Sequence, residues 1–286
     1  GRGDEFEGSA GIELNYGAAR DLQVTLALPT NYTHDARGWR WGMGDVELAA
    51  KYRFFHDESA GMSIAAFPAI TLPTGSNVAP INVDAGPAGT VNSPFVSVTL
   101  CVPGTSNCQT IDHLIVDSGS IGVRLIASKL TLNLPSARDS AGNAMAECGQ
   151  FADGSTFGAV RLADVKIAGE QASNLPIHVI GDAAFATIPA DCLATGPPEN
   201  TVQTFGANGV VGVSVFIEDC GPACAASVVP ATYYGCPASG CAPISVPLAG
   251  QVQNPVARFA TDNNGIAIVM ASVDPAGAAQ AVGALV

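Results

Sequence analysis

Polar and apolar residues alternate with a period of two from Gly11 to Leu28. Ile12, Leu14 and Tyr16 share one face, and after a turn over residues 17–21, Leu22, Val24, Leu26 and Leu28 share another. A second alternating pair follows: Asp45 to Phe54, a polar turn from His56 to Gly61, then Met62 to Leu72. Period two predicts half-buried β-strands. Beyond Gly75-Ser76-Asn77 the texture shifts to Val, Ala, Gly, Pro and Thr, and two short apolar runs, Phe95 to Leu100 and Thr110 to Val116, bracket Cys101 and Cys108. These predict a hairpin whose second strand delivers Asp117. The fold class expected from this pattern is all-β, divided into a segment over 1–75 and a domain over 77–286.

A length of 286 residues agrees with roughly two domains at ~150 residues each. Residues 1–75 carry 6 basic and 10 acidic side chains and no cysteine, whereas 76–286 carry 6 basic and 15 acidic. A net charge of -13 with no basic cluster disfavours nucleic acid and anionic lipid headgroups as partners, since both need Lys and Arg against phosphate. All eight cysteines follow residue 100: Cys101, Cys108, Cys148, Cys192, Cys220, Cys224, Cys236 and Cys241. Their even number and mostly close pairing predict disulfides in an oxidising compartment. A zinc site built from Cys220, Cys224, Cys236 and Cys241 is the alternative, weakened by spacings other than C-x2-C. No 18-residue apolar run occurs, and the chain begins in mid-pattern at Gly1-Arg2-Gly3-Asp4. It reads as a fragment in which two unrelated pieces have been joined. Arg2-Gly3-Asp4 and the sequon Asn31-Tyr32-Thr33 are short enough to arise by chance.

The stretch that carries chemistry is Ile115-Val116-Asp117-Ser118-Gly119-Ser120. A carboxylate at the end of an apolar strand, followed by hydroxyl, glycine and hydroxyl, suits acid–base work on water. The strand supports the acid, the hydroxyls hold the loop and glycine permits close backbone approach. An Asx turn accounts equally well for the four residues in isolation. The scattered histidines His34, His56, His113 and His178 lack triad or metal spacing, and His113 is expected to share a strand face with its alternate neighbours. No serine elbow, phosphate loop or dinucleotide fingerprint occurs, so no cofactor and no metal are expected.

Taken with Gln150-Phe151-Ala152-Asp153-Gly154-Ser155 and Asn208-Gly209-Val210-Val211-Gly212-Val213, the Asp117 stretch resembles one half of a pepsin-type aspartic peptidase. The resemblance implies catalytic roles for Asp117, Ser118, Gly119 and Ser120. It implies a flap hairpin at Phe151, Asp153, Gly154 and Ser155, followed by strands over Val160–Ile167 and Leu175–Ile180, and an apolar-apolar-Gly segment crossing behind the catalytic loop. Within that clan, Asp84-Ala85-Gly86-Pro87, Cys101-Val102-Pro103-Gly104-Thr105 and Asn254-Pro255-Val256-Ala257 resemble the bacterial family DUF3443. It implies an N-terminal lobe over about 90–215 and part of a second lobe over about 250–286, with strands at Val256–Phe259 and Gly265–Met270.

Three departures bear on activity. Phe151 stands where pepsins place a tyrosine, and Arg124 where they place a tryptophan. The second Asp-[Ser/Thr]-Gly motif is absent, Asp262 and Asp274 sitting in turn contexts. Two copies of Asp117 across a dimer axis are an alternative source of the pair, although the sequence leaves the oligomeric state open. Residues 1–75, through Gly42 to Phe54 and the Leu28-Pro29 and Thr71-Leu72-Pro73 strand ends, resemble outer-membrane phenol-degradation meta-pathway transporters, whose barrels place one strand face against lipid. Together these resemblances imply a protein of the bacterial cell envelope, in periplasm, outer membrane or secreted form, acting on a peptide or protein substrate. A noncatalytic binding module and an outer-membrane transporter fragment are the alternatives.

Overall fold

The computed structural model describes residues 6–35, 38–43, 46–57, 61–72, 77–274 and 276–286. The Arg2-Gly3-Asp4 tripeptide and the Gly75-Ser76 junction lie outside them. The chain divides into two compact units, Gly1–Val78 and Ala79–Val286.

The first unit is an antiparallel sheet of six strands: β1 (Phe6–Ala19), β2 (Leu22–Asp35), β3 (Gly38–Met43), β4 (Val46–Asp57), β5 (Met62–Ala66) and β6 (Ala69–Leu72). β2 pairs with β1, β3 and β4, and β4 pairs with β5 and β6. The first turn is tighter than the pattern suggests, because β1 continues to Ala19 and leaves Arg20 and Asp21 to reverse the chain. The single strand expected over Met62–Leu72 is split at Phe67-Pro68, where proline has no N–H for the ladder; the Pro68 carbonyl still accepts from Ala50 N–H at 3.0 Å. β3 was not legible in the alternation.

Register puts the even-numbered apolar residues on one face: Ile12 opposes Leu28, Leu14 opposes Leu26, Tyr16 opposes Val24, and Leu22 opposes Tyr52. That face is open, Leu14 being 54% and Tyr16 72% exposed. The odd-numbered residues include Thr25 and Ala49, which pair with each other and are both buried. On this polar face the Asn15 carbonyl accepts from Gln23 and Thr25.

The second unit holds β7 (Ala79–Val83), β8 (Pro94–Cys101), β9 (Cys108–Asp117), β10 (Ile121–Ile126), β11 (Ala144–Gln150), β12 (Ser155–Ile167), β13 (Glu170–Ile180), β14 (Gly209–Val213), β15 (Tyr233–Cys236), β16 (Ala242–Pro243), β17 (Ile268–Met270) and β18 (Ala281–Leu285). Three short helices, α1 (Ala190–Leu193), α2 (Val202–Phe205) and α3 (Pro222–Ala226), lie in the connections. Six strands close a ring in the order β8, β9, β14, β10, β13, β12 and back to β8. Closure leaves no edge within the ring. Val98, Leu100, Leu114, Val123, Leu125, Ile177 and Val211 from these strands are fully buried in one core.

The hairpin expected around the first cysteine pair is β8–β9, with Cys101 opposite Cys108. Simple alternation fails within it. The register shifts between Val96 and Val98, and His113 takes φ 51°, so its ring turns to Asp84 at 3.3 Å and stacks on Phe95 at 5.2 Å between centroids. Of the two strands expected after about residue 250, Val256–Arg258 forms a 3-10 turn, while the Gly265–Met270 segment forms a strand in part, as β17. β17 joins β18, and β18 joins β7, so both extend the sheet of the ring. Prolines at 247 and 255 and the sparse β-branched content of 257–265 account for the missing strand.

All eight cysteines are paired: Cys101–Cys108, Cys148–Cys192, Cys220–Cys224 and Cys236–Cys241. The four sulfurs weighed as zinc ligands are thus consumed in two disulfides. Such bonds persist in oxidising surroundings, and they are compatible with an extracytoplasmic protein. Among the described residues no helix is long and apolar enough to cross a membrane.

Candidate functional site

Asp117 ends β9, and the loop 118–120 leads into β10. Asp117 Oδ1 accepts the Gly119 N–H at 2.8 Å, an Asx turn that aims the carboxyl toward its own loop. Beneath the loop runs β14, inserted between β9 and β10, parallel to the first and antiparallel to the second. Gly212 lies level with Asp117 on one side and Gly122 on the other. A Cβ at Gly212 would sit 2.5 Å from the Ile121 nitrogen and 2.6 Å from the Ser120 carbonyl carbon, so only glycine lets β14 pass. Ser214 N–H then bonds the Ser120 carbonyl at 3.1 Å, and Asn254 Nδ2 holds the Ser214 carbonyl at 2.7 Å. The loop is fixed from below while Ser118 and Gly119 remain exposed.

Hairpin β11–β12 faces this loop across a cavity of about 300 Å³, to which Gly119, Ser120, Gln150 and Phe151 contribute. Its tip is closed by Phe151 N–H to the Gly154 carbonyl at 2.8 Å. The Phe151 ring meets Phe205 of α2 edge-on at 5.6 Å. Other hairpin residues serve the fold: Ser155 is 1% exposed and its hydroxyl donates to the Gly196 carbonyl at 3.1 Å. A Cβ at Gly154 would meet the Glu199 side chain at 2.6 Å. Asp153 is exposed, and together with burial its charge raises Glu199 above the usual carboxylate range. Ser118 borders a different cavity of about 690 Å³ with Val215, Phe216 and Ile217. Asp117, Asp153, Gly154 and Ser155 line neither cavity. The structure therefore brings Gly119, Ser120 and Phe151 together and leaves the others apart.

The cavity floor is a charge cluster that sequence reasoning missed. Arg124 Nη2 bonds Glu147 Oε1 at 2.6 Å and Asp219 Oδ2 at 3.0 Å, and Arg124 Nη1 donates to the Ile121 carbonyl. Tyr233 donates to Asp219 Oδ1 at 2.6 Å and accepts from Val252 N–H at 2.7 Å. His178, opposite Arg124 in the parallel β10–β13 pairing, places Nδ1 3.5 Å from Glu147 Oε2. Arg124, Glu147, His178 and Tyr233 are all buried.

Each pKa follows from this crowding. Burial opposes the charge of Arg124, but Glu147 and Asp219 outweigh it and keep the guanidinium firmly protonated. Burial, then the Glu147 charge, lift Asp219 well above its ordinary value; Arg124 recovers only part. Burial, reinforced by Arg124, holds His178 neutral and far below the usual imidazole range. Burial and the two carboxylates likewise raise Tyr233. The available signal was Arg124 itself, a lone cation in the otherwise apolar Ile121–Ile126 run, since buried arginine demands carboxylate partners.

Among the described residues no group of three or more His, Cys, Asp or Glu side chains is arranged to hold a metal. No curated protein matches the chain. A family profile described as DUF3443, protein of unknown function, matches residues 73–286, and the chain belongs to that family.

Proposed function

We propose that the second unit is an aspartic-peptidase-like lobe of a bacterial envelope protein, with Asp117 as one of the two carboxyl groups that share a proton during peptide hydrolysis. The observation that carries this reading is β14 passing beneath the Asp117 loop on Gly212. That crossing holds a carboxylate on a rigid strand end, half-buried, with two exposed loop residues beside it. Hydrolysis by this route needs a second carboxyl facing the first, because two adjacent acids split the roles of base and acid. Asp274, unlike Asp117, ends no strand, and its Oδ1 caps a turn through Ala276 N–H at 2.7 Å. Asp262, at φ 49°, also occupies a turn. This reading requires a second carboxyl from outside the described residues, as a second copy of the chain could supply.

The test is cleavage of an unfolded protein substrate at acid pH by the full-length protein and by Asp117→Asn. A loss on the order of 10³-fold is expected for removal of a general acid–base group. Equal rates in the two proteins would remove Asp117 from the chemistry.

The charge cluster under the hairpin favours a second reading, a noncatalytic peptide-binding module. Arg124, Glu147 and Asp219 floor the cavity beneath the hairpin with a buried ion cluster that Asp117 does not join. In that case peptide affinity survives Asp117→Asn unchanged.

For the first unit we propose contact with the outer membrane. The support is its inverted polarity, with apolar Ile12, Leu14, Tyr16 and Tyr52 outward and Thr25 and Ala49 inward, the arrangement of a strand with lipid on one side and water on the other. Pore conductance by the full-length protein would carry this further to transport.

A further inference from the structure

We infer that the cavity beneath the β11–β12 hairpin is a binding site for a primary alkylammonium group, the side chain of a lysine or a free amine. Three observations meet there. First, Arg124 is the one basic side chain bonded to both Glu147 and Asp219. With His178 neutral and Tyr233 a donor, the ionised cluster carries one negative charge in excess. Second, acceptors stand unused at the wall. Glu147 is 2% exposed, lines the cavity, and its Oε2 has no hydrogen-bond donor; its neighbour is the neutral His178 ring at 3.5 Å. The buried Ser120 hydroxyl, on the same cavity, also has no partner. Unsatisfied buried acceptors are costly and rare. An ammonium brings three donors on a compact charge.

Third, the remaining wall suits an alkyl stem. Ile121, Cys148, Phe151 and Cys220 line the cavity, and Gln150 stands exposed at its rim. Methylenes can lie along such a surface while the charge reaches inward. The volume of about 300 Å³ is at the lower end of small-ligand sites.

In the empty cavity burial and the Glu147 charge favour a proton on Asp219, which offsets the excess charge. An entering ammonium takes over that neutralisation, and the Asp219 proton leaves to solvent. Binding therefore releases one proton per ligand and tightens as pH rises. Arg124, Glu147, His178 and Tyr233 face Asp219 in this exchange; over the neutral range Arg124 stays charged while His178 and Tyr233 stay uncharged.

The experiment is calorimetric titration of the full-length protein with Nα-acetyl-lysine-N-methylamide, n-butylammonium and Nα-acetyl-norleucine-N-methylamide, in buffers of different ionisation heat between about pH 5 and 8. The lysine probe is expected to bind with proton release, and the norleucine probe about tenfold to hundredfold more weakly, the range for losing a charged hydrogen-bonding group. Asp219→Asn abolishes the proton release. Phe151→Ala, at the partly open mouth, weakens the lysine probe without touching the buried cluster. Equal affinity for butylammonium assigns the site to free amines, and a preference for the blocked lysine assigns it to peptide side chains. Absence of binding by both amines, or binding without proton release and with norleucine as good as lysine, overturns the inference. Asp117→Asn should leave all of these values unchanged, so the site stands or falls separately from the hydrolytic reading.

Discussion

In the first unit the apolar row Ile12, Leu14, Tyr16 and Tyr52 faces outward while Thr25 and Ala49 are buried. In the second unit Leu114, Val123, Leu125 and Val211 are fully buried within a closed ring, and the exposed positions of the same strands are polar, as at Asp112. Period two runs through both sheets except at the β8–β9 bulge and in β10 and β14, which are buried on both faces. The period specifies that a strand has two unlike faces, but the surroundings decide which face is covered. A ring covers its apolar faces against one another. An open sheet of six strands cannot, and its apolar face requires something else against it.

Four substitutions test that contrast. The largest effect is expected for Gly212→Val, which forces a side chain into backbone 2.5 Å away and should cost more than about 4 kcal/mol or prevent folding of the second unit. Gly17→Ala, with nothing within 4 Å, should change stability by less than about 0.5 kcal/mol. Chemical denaturation followed by tryptic mapping separates the two units. Next is Arg124→Met, which strands Glu147 and Asp219 without their cation and should cost about 3–5 kcal/mol. Arg53→Met, breaking a partly exposed pair with Asp21, should cost no more than about 1 kcal/mol. A stability change at Arg53 as large as that at Arg124 would end the distinction between the two interiors.

Core truncation follows. Leu114→Ala should cost about 3 kcal/mol from lost burial and the cavity left behind. Leu14→Ala, at an exposed site, should be near neutral in water, while Leu14→Arg should weaken association with outer-membrane lipid vesicles if that face meets hydrocarbon.

The smallest effect is pH-dependent. Asp219 has its folded pKa raised above the ordinary 3.8, so its stabilising contribution is complete below that value and is lost as pH rises through the folded pKa. His178, depressed from 6.5, works in the other direction: its contribution is present above 6.5 and is lost as pH falls through its folded value. The stability difference between wild type and Asp219→Asn isolates the first term, and it should shrink from pH about 4 to pH about 8 in urea titrations. A difference that grows with pH would contradict the assigned protonation of Asp219.

Much of this architecture was written in local pattern. The apolar runs Phe95–Leu100 and Thr110–Val116 marked β8 and β9, while the hairpin over 150–158 and the strand over 209–213 were expected only from the likeness to a pepsin lobe. What could not be read was whatever depends on partners distant in sequence. Glu147, Asp219 and Tyr233 come from three separate segments, and nothing around any one of them announces the other two. His113 misled because a bulge breaks parity without leaving a mark in composition. Asp117 was prominent as a motif, whereas the cavity beneath the hairpin is floored by Arg124, the residue first noticed as a departure from pepsin.

The placement of β14 between β9 and β10 also orders events in time. Asn208 at its entrance bonds Asp112 across 96 residues of chain, and until Val213 has been synthesised β9 and β10 each hold an unpaired edge. The β8–β12 seam can zip earlier, yet the ring stays open. Folding dominated by such remote pairings is slow, so a nascent chain cannot close the ring, and stays easy to pull apart, until β14 has emerged.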